Sequence, residues 1–470
     1  YYGYKRSCLS DLREFKLISP YTFLNEKFYD EVDPAKFPKF ITRYRNPNFE
    51  EFKNLNNEEW VNLFGKFESP ILPKIKNIAM RYHGHQFQVY NPDIGDGRGF
   101  TIAQFYKNNE LYDLGTKGSG ITPYSRSGDG RLTLKGGVRE VLCSNYLEAL
   151  GVNTSKSLSL IETGEQLSRN DEPSPTRSSV LVRVSHSHLR IGTFQYHAFH
   201  QDIQSIEFLT NMIGKYYFNL NNQNNQPIKI FSEVVKRCAT LAASYNVYGF
   251  VHGVLNTDNI NITGESFDYG PFRFLEKYEP NKTAAYFDRF GLYRFSKQAD
   301  AIFWNVQQLA SIFTLMVNQE ILIEKLKKFV DLYNQEVLRL FFKRLMIKPN
   351  PDSAKNNEIL EAFYQILGDQ EFSFEEVYYD LRGGLEKIKN RKDLIQKYQK
   401  YQLEKIFQNH NPINEINLDN LNLIPYETLH YDEIEKIWEA IDKNDDWSLF
   451  NNKIDSISKL KEANIINGLG

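Results

Sequence analysis

Val251-His252-Gly253-Val254-Leu255-Asn256-Thr257-Asp258-Asn259-Ile260-Asn261-Ile262, followed after four residues by Phe267-Asp268-Tyr269-Gly270, is the stretch that decides how this chain is read. Apolar residues alternate here with amides and carboxylates. A helix-like run, Phe231–Tyr245, precedes it, and a long amphipathic stretch, Ala299–Leu326, follows. A segment of this kind suits a polar loop held against a helical core.

The offsets match the plan of kinase catalytic segments. That plan opens on His, places a base Asp two residues on and a metal-binding Asn seven residues on, and continues to an Asp-Phe-Gly-like turn. His252 and Asn259 keep this spacing, and Asp268-Tyr269-Gly270 supplies the turn. Val254 occupies the base position and has no proton acceptor, so the spare carboxylate is Asp258. Asn259 and Asp268 offer hard oxygen atoms suited to Mg2+ between phosphates. The plainer alternative is an Asn/Asp-rich turn with His252 satisfied in the core.

Upstream lie glycine loops. Gly95-Asp96-Gly97-Arg98 and Gly128-Asp129-Gly130-Arg131 repeat one pattern, and Lys117-Gly118-Ser119-Gly120 is a third small-residue turn. Glycine lets backbone amides approach an anion, and arginine offers a fork of donors. The same residues are also ordinary turn formers. Gly99–Tyr106 and Leu111–Lys117, separated by Lys107-Asn108-Asn109-Glu110, read as a β-hairpin. Leu132–Leu150 reads as a helix ended by Gly151. Lys117 ends a strand and Glu140 lies in the next helix, the arrangement that places a nucleotide phosphate in kinase-like folds. A surface lysine and an ordinary helix glutamate would look alike in sequence. Val180–Val184 alternates as a strand, with the valines on one face and Arg183 on the other. Arg183 and Arg190 flank Ser185-His186-Ser187-His188, as phosphate ligands or as solvated arginines.

The wider chain sets the limits. Its 470 residues suffice for two or three domains, and 41% apolar with 25% charged residues is ordinary for a globular protein. With 57 Lys plus Arg against 59 Asp plus Glu, the net charge of -2 disfavours a bulk role on nucleic acid or anionic membrane. Cys8, Cys143 and Cys238 form no CxxC pair, which fits a reducing compartment, and the latter two are expected as core thiols. The apolar stretch near Ala299–Leu326 is interrupted by Asp300, Asn305, Gln307, Gln308 and Asn318, so no membrane span is expected. Tyr1–Arg6 has no leader-like apolar run, and the chain does not begin with Met. Four regions are expected: 1–68, an extension with short helices; 69–200, a strand- and glycine-rich nucleotide-binding lobe; 201–410, a mostly helical lobe; and 411–470, a tail of two helices. The run Asn219–Gln226 reads as a loop. The fold class is therefore α+β, a protein-kinase-like two-lobed arrangement with N- and C-terminal extensions.

These stretches together resemble the selenoprotein O family, kinase-fold proteins that act as protein AMPylases. The resemblance rests on Gly84-His85-Gln86-Phe87, Gly95–Gly99, Lys117–Arg131, Arg139-Glu140, Glu162-Thr163-Gly164, Arg183–Phe194 and His252–Phe272, within about residues 80–310. It implies that Lys117 binds phosphate and pairs with Glu140. It implies that Gly95, Gly97, Arg98, Asp129 and Gly130 line the nucleotide site and that Arg183 and Arg190 hold the terminal phosphate. Asn259 and Asp268 would hold Mg2+ or Mn2+, Asp268 would also contact ATP, and Asp258 would accept the proton. ATP would lie reversed, with the γ-phosphate buried, so that AMP passes to a protein Ser, Thr or Tyr hydroxyl and pyrophosphate leaves. ATP and protein substrates are the implied partners, with a monomer in the bacterial cytoplasm expected (a mitochondrial location if the source is eukaryotic). The alternatives are a kinase-like phosphotransferase and an inactive ATP-binding scaffold. Three departures stand out. His83 and Gln88 replace the family's frequent Ala and Gly, no Cys follows Cys238, and residues 411–470 match poorly. Redox control through a C-terminal Cys is thus unsupported.

Overall fold

The computed structural model describes residues 16–72, 77–220, 226–389, 391–412 and 423–468. Tyr1–Arg6, Cys8, most of the run Asn219–Gln226 and Leu469-Gly470 lie outside the described residues. The fold is mixed α and β, with one large antiparallel sheet and many helices. The expected hairpin is β6 (Thr101–Lys107) and β7 (Glu110–Lys117), turning on Asn108 and Asn109 with φ of 53° and 64°. Two left-handed residues are what a two-residue turn between twisted strands requires, and Asn tolerates them. The sheet runs β1 (Tyr29–Val32), β3 (Asn77–Met80), β6, β7, β10 (Thr176–Ser185), β9 (Lys156–Leu167), β2 (Ile41–Arg45). A two-residue strand, β8 (Leu132–Thr133), also pairs with β10. A separate hairpin joins β4 (Gly84–Gln86) to β5 (Val89–Asn91).

The alternation read in Val180–Val184 holds. Val180, Val182 and Val184 enter one core with Trp60, Phe64 and Phe105, while Leu181 enters the other. That second core continues through the helices as far as Leu460. Helix α2 (Leu134–Ala149), capped by the Thr133 hydroxyl, packs across β9 and β10. It begins two residues later than the reading Leu132–Leu150, because Leu132 and Thr133 pair with β10.

Two expectations are corrected. The first region carries a helix, α1 (Asn57–Phe64), but it also supplies both edge strands, β1 and β2. Strands this short and this charged lack a clear periodic signature, as edge strands often do. The stretch Ala299–Leu326 is two helices, α6 (Gln298–Phe313) and α7 (Gln319–Leu345). The break carries neither Gly nor Pro; its signal is Asn318, whose side chain accepts from Glu320 N and caps α7. After α3 (Ile191–Phe199) and α4 (Ile203–Tyr216), the expected amphipathic helix before the polar loop is α5 (Gln226–Val247), packed against α6 and α7. The two helices expected in the tail are present, Tyr431–Asn444 and Ser448–Ile466, and they dock on the sheet and α2. Asp445 accepts from Arg43 at 2.9 Å and Arg177 at 2.7 Å, and Asn464 donates to Ala149 O at 2.8 Å. Cys143 and Cys238 are fully buried. Burial pushes the Cys238 thiol up to about 12 and Cys143 up as well, so both are inert core thiols.

Candidate active site

A cavity of about 600 Å³ opens between the sheet and the segment 258–268. Its inner wall begins at Lys117, the last residue of β7. Lys117 Nζ donates to Glu140 of α2 and to Asp268 Oδ1, the latter at 2.5 Å. The adjacent α2 residue, Arg139, donates to Gly270 O at 3.2 Å and Phe272 O at 3.3 Å and stacks on Phe272. One helix therefore fixes both the lysine and the Asp268-Tyr269-Gly270 turn. His252 is the core histidine of the plainer alternative. It is buried and its Nε2 lies 2.9 Å from Phe267 O, which pins the residue before Asp268. Burial lowers its pKa. Asp268 has φ 68°, a left-handed backbone that this tethering enforces.

Cations crowd Asp268. Arg183 Nη1 approaches Oδ1 at 3.3 Å from β10. Burial opposes the carboxylate's charge, but Lys117, Arg183 and Arg190 hold its pKa well below the usual range. Arg190 is buried; it donates to Asp258 O at 2.9 Å and to Asp96 at 3.2 Å, and stacks on Tyr82 at 4.4 Å. Asp96, inside the first Gly-Asp-Gly-Arg loop, is anchored in turn by Met80 N at 3.0 Å. Nε of both Arg183 and Arg190 is buried without a hydrogen-bond partner. Buried donors in that state call for an acceptor.

Asp258 follows in the turn Thr257–Asn259 and is buried, and its Oδ1 has no hydrogen-bond partner. Burial pushes its pKa up to about 6, opposed by Arg190, a backbone amide and Gln86 and aided by Asp268. At neutral pH it is still mostly the carboxylate, a base matched to working pH. The β4–β5 hairpin clamps this turn. His85 N donates to Thr257 Oγ1 at 2.7 Å, Phe87 N to Asn256 Oδ1 at 3.0 Å, and Thr257 Oγ1 to Gln195 at 2.6 Å. Gln88 has φ 64°, backbone that glycine adopts freely.

Gly84 sits directly on the carboxylate. A Cβ there would fall 2.4 Å from Asp258 Oδ1. Gly84→Ala is therefore expected to displace the carboxylate and lower turnover by about tenfold to a hundredfold, with ATP affinity kept. Single-turnover rates beside calorimetric ATP binding check this; wild-type turnover would refute it.

The outer wall holds the remaining glycine-loop residues. Gly95 and Gly97 line the cavity against Tyr124, and Arg98 is exposed at the mouth, with no ion-pair partner among the described residues. Gly130 has φ 68°, and a Cβ would lie 2.2 Å from Gly120 O, so only glycine fits. Asp129 is bound by Arg169 at 2.7 Å, at the mouth rather than deep inside. Asn259 does not line the cavity; its Nδ2 donates to Val254 O at 3.1 Å. Sequence reasoning assigned no role to Asp96, Gln86, Arg126, Arg169 or His188, all on the wall. Asp96 was legible inside its motif. His188, bonded to Asp113 at 2.9 Å, was visible only as part of an Arg-flanked His pair.

The family of protein adenylyltransferase SelO matches residues 13–458. A protein nucleotidyltransferase YdiU of Trichodesmium erythraeum is 41% identical over 455 residues, covering 91% of this chain and 95% of that protein. One of Synechocystis sp. is 38% identical over 472 residues, covering 94% and 97%. One of Vibrio cholerae is 37% identical over 294 residues, covering 62% and 59%. The match runs far into the tail at 411–458, where a poor one was expected. The match over nearly the whole chain and the convergence of Lys117, backed by Glu140, with Arg183, Arg190, Asp258 and Asp268 on one cavity agree: this chain belongs to the protein adenylyltransferase SelO family.

Proposed function

We propose that this nucleotidyltransferase moves AMP from ATP to Ser, Thr or Tyr hydroxyls of proteins and releases pyrophosphate. The observation that carries the reading is the buried Asp258 carboxylate, with a free Oδ1, beside a cation-walled cavity. In this reading Arg183, Arg190 and Lys117 bind the terminal phosphates at the buried end. Arg98 and the amides around Gly95, Gly97 and Gly130 hold the outer part of the nucleotide. The acceptor hydroxyl gives its proton to Asp258, its oxygen bonds to the α-phosphorus, and the bond to the β-phosphate oxygen breaks.

The donor set suits a divalent cation: Asp268 lines the cavity, and Asn259, outside the lining with its Nδ2 bonded to Val254 O, keeps a hard amide oxygen to offer. Among the described residues no group of three or more His, Cys, Asp or Glu would hold a metal alone. ATP oxygens would therefore complete the shell, as Mg2+ sites commonly require. Such an ion neutralises phosphate charge.

The sheet with α2, and the helices α5–α7, are read as the two lobes of a kinase-like fold, built on 69–200 and 201–410, with β1 and β2 of 1–68 completing the sheet of the first lobe and 411–470 as an extension. The position of Lys117, Glu140, Asn259 and Asp268 supports this. No helix among the described residues is long and apolar enough to cross a membrane. The relatives are bacterial and the substrate is ATP, which supports a bacterial cytoplasmic site of action.

Incubation with ATP labelled at the α- or the γ-phosphate is the test. Label from the α position is expected on protein, with release of pyrophosphate. Label from the γ position alone would overturn AMP transfer in favour of a phosphotransferase.

A further inference from the structure

The surface beside the catalytic turn carries aromatic rings that nothing among the described residues covers. Tyr286 is 80% exposed, Phe290 96% and Phe287 47%. They occupy one turn, Tyr286-Phe287-Asp288-Arg289-Phe290, whose shape is held from inside. Asp288 is buried and accepts from Leu292 N and Tyr293 N, each at 2.8 Å. The rings are therefore presented by a fixed turn. Val89, at the tip of the β4–β5 hairpin, is 71% exposed.

This surface is continuous with the reaction centre. The Phe287 ring lies 5.8 Å from that of Phe87, centroid to centroid. Phe87 N is bonded to Asn256, two residues before Asp258, and Tyr293 OH donates to the same Asn256 oxygen at 2.7 Å. Gln86, the residue before Phe87, lines the cavity. A polypeptide that offers a hydroxyl to Asp258 must lay its neighbouring residues over this ground, at about 3.3–3.6 Å per extended residue. Exposed aromatics on a rigid turn are the side chains that anchor such contacts. Arg289 is exposed in the same turn with no ion-pair partner among the described residues, which sets the sign of charge the surface accepts.

We propose that the turn 286–290, with Val89, is the docking surface for the protein substrate. It takes an extended acceptor segment with an apolar side chain within a few residues of the hydroxyl and an acidic residue nearby. The proposal rests on the reading of the site as a protein AMP transferase and adds the recognition rule.

The test uses the full chain, α-labelled ATP and synthetic peptides with one Ser, Thr or Tyr. Phe, Glu or Lys is scanned through the four positions on either side in an Ala/Gly background. A Phe at one flanking position is expected to raise kcat/KM by about tenfold or more over Ala, with Glu favoured over Lys. Tyr286→Ser/Phe287→Ser/Phe290→Ser should remove the Phe preference while ATP affinity stays at the wild-type value. Arg289→Glu should reverse the charge preference. A Phe preference that survives the triple substitution, or equal labelling of all peptides by the wild type, would overturn the docking surface and leave AMP transfer standing. Absence of α-label from every peptide and protein acceptor, with ATP still bound, would instead bring down the AMP-transfer reading and the surface with it. A wild-type dimer in sedimentation that the triple substitution dissolves would assign the rings to a second copy and overturn the proposal.

Discussion

Asp258→Asn is expected to lower the rate of AMP transfer by about 100- to 10,000-fold, with ATP binding and fold intact. The substitution keeps the shape of the side chain and removes only its charge and its ability to take a proton. The wild-type Oδ1 is buried and unpaired, so no structural hydrogen bond of that oxygen is lost. The charge it removes lies near Asp268 and is opposed by burial, both of which disfavour the wild-type carboxylate. The melting temperature should therefore be unchanged or higher, a pattern common where a side chain serves reaction rather than stability. Single-turnover transfer from α-labelled ATP, calorimetric ATP titration and a thermal melt separate the two contributions. A rate within twofold of wild type would remove Asp258 from proton transfer. A collapsed melt would make it a structural group.

The segment 252–268 could be read in advance as one structural unit because its spacing is short-range. His252, Asn259 and Asp268 lie within one loop, and their offsets do not depend on the rest of the fold. Lys117 and Glu140 were legible for a related reason, since a strand end and the next helix must meet once α2 packs on β9 and β10. What sequence left open was long-range. Nothing in Tyr29–Val32 or Ile41–Arg45 announces the two edges of the sheet, because short charged strands lack periodicity. The grip of the β4–β5 hairpin on Asn256 and Thr257 joins residues 169 and 172 positions apart. The Asp96–Arg190 pair spans 94. Arg190 illustrates the difference: its residue type suggested phosphate binding, but only the fold shows that it also holds the Asp258 backbone. Asn259 is the converse case. Its spacing suggested a metal ligand, and only the fold shows that its Nδ2 is taken up by Val254 O, which leaves the amide oxygen as the atom a cation would meet.

Lys117→Met should be the most destabilising change in the site, at about 3–5 kcal/mol. The side chains of Lys117 and Glu140 are 7% and 4% exposed, and Lys117 also meets Asp268. Desolvating such ions is costly, and their mutual attraction offsets the cost only while every partner is present. With the ammonium gone, Glu140 is left as a lone buried carboxylate, whereas Asp268 retains Arg183 at 3.3 Å. The damage is therefore concentrated at Glu140 and should be repairable there. Lys117→Met/Glu140→Leu is expected to recover most of the lost stability, since an apolar pair of similar volume replaces the ions. ATP binding should remain weak in both variants, because the phosphate ligand is absent from each. Denaturant midpoints and ATP titrations of the two proteins check the argument. A single variant as stable as wild type would show that the buried pair contributes no net cohesion. A double variant that binds ATP normally would remove Lys117 from the phosphate site and leave Arg183 and Arg190 to hold it alone.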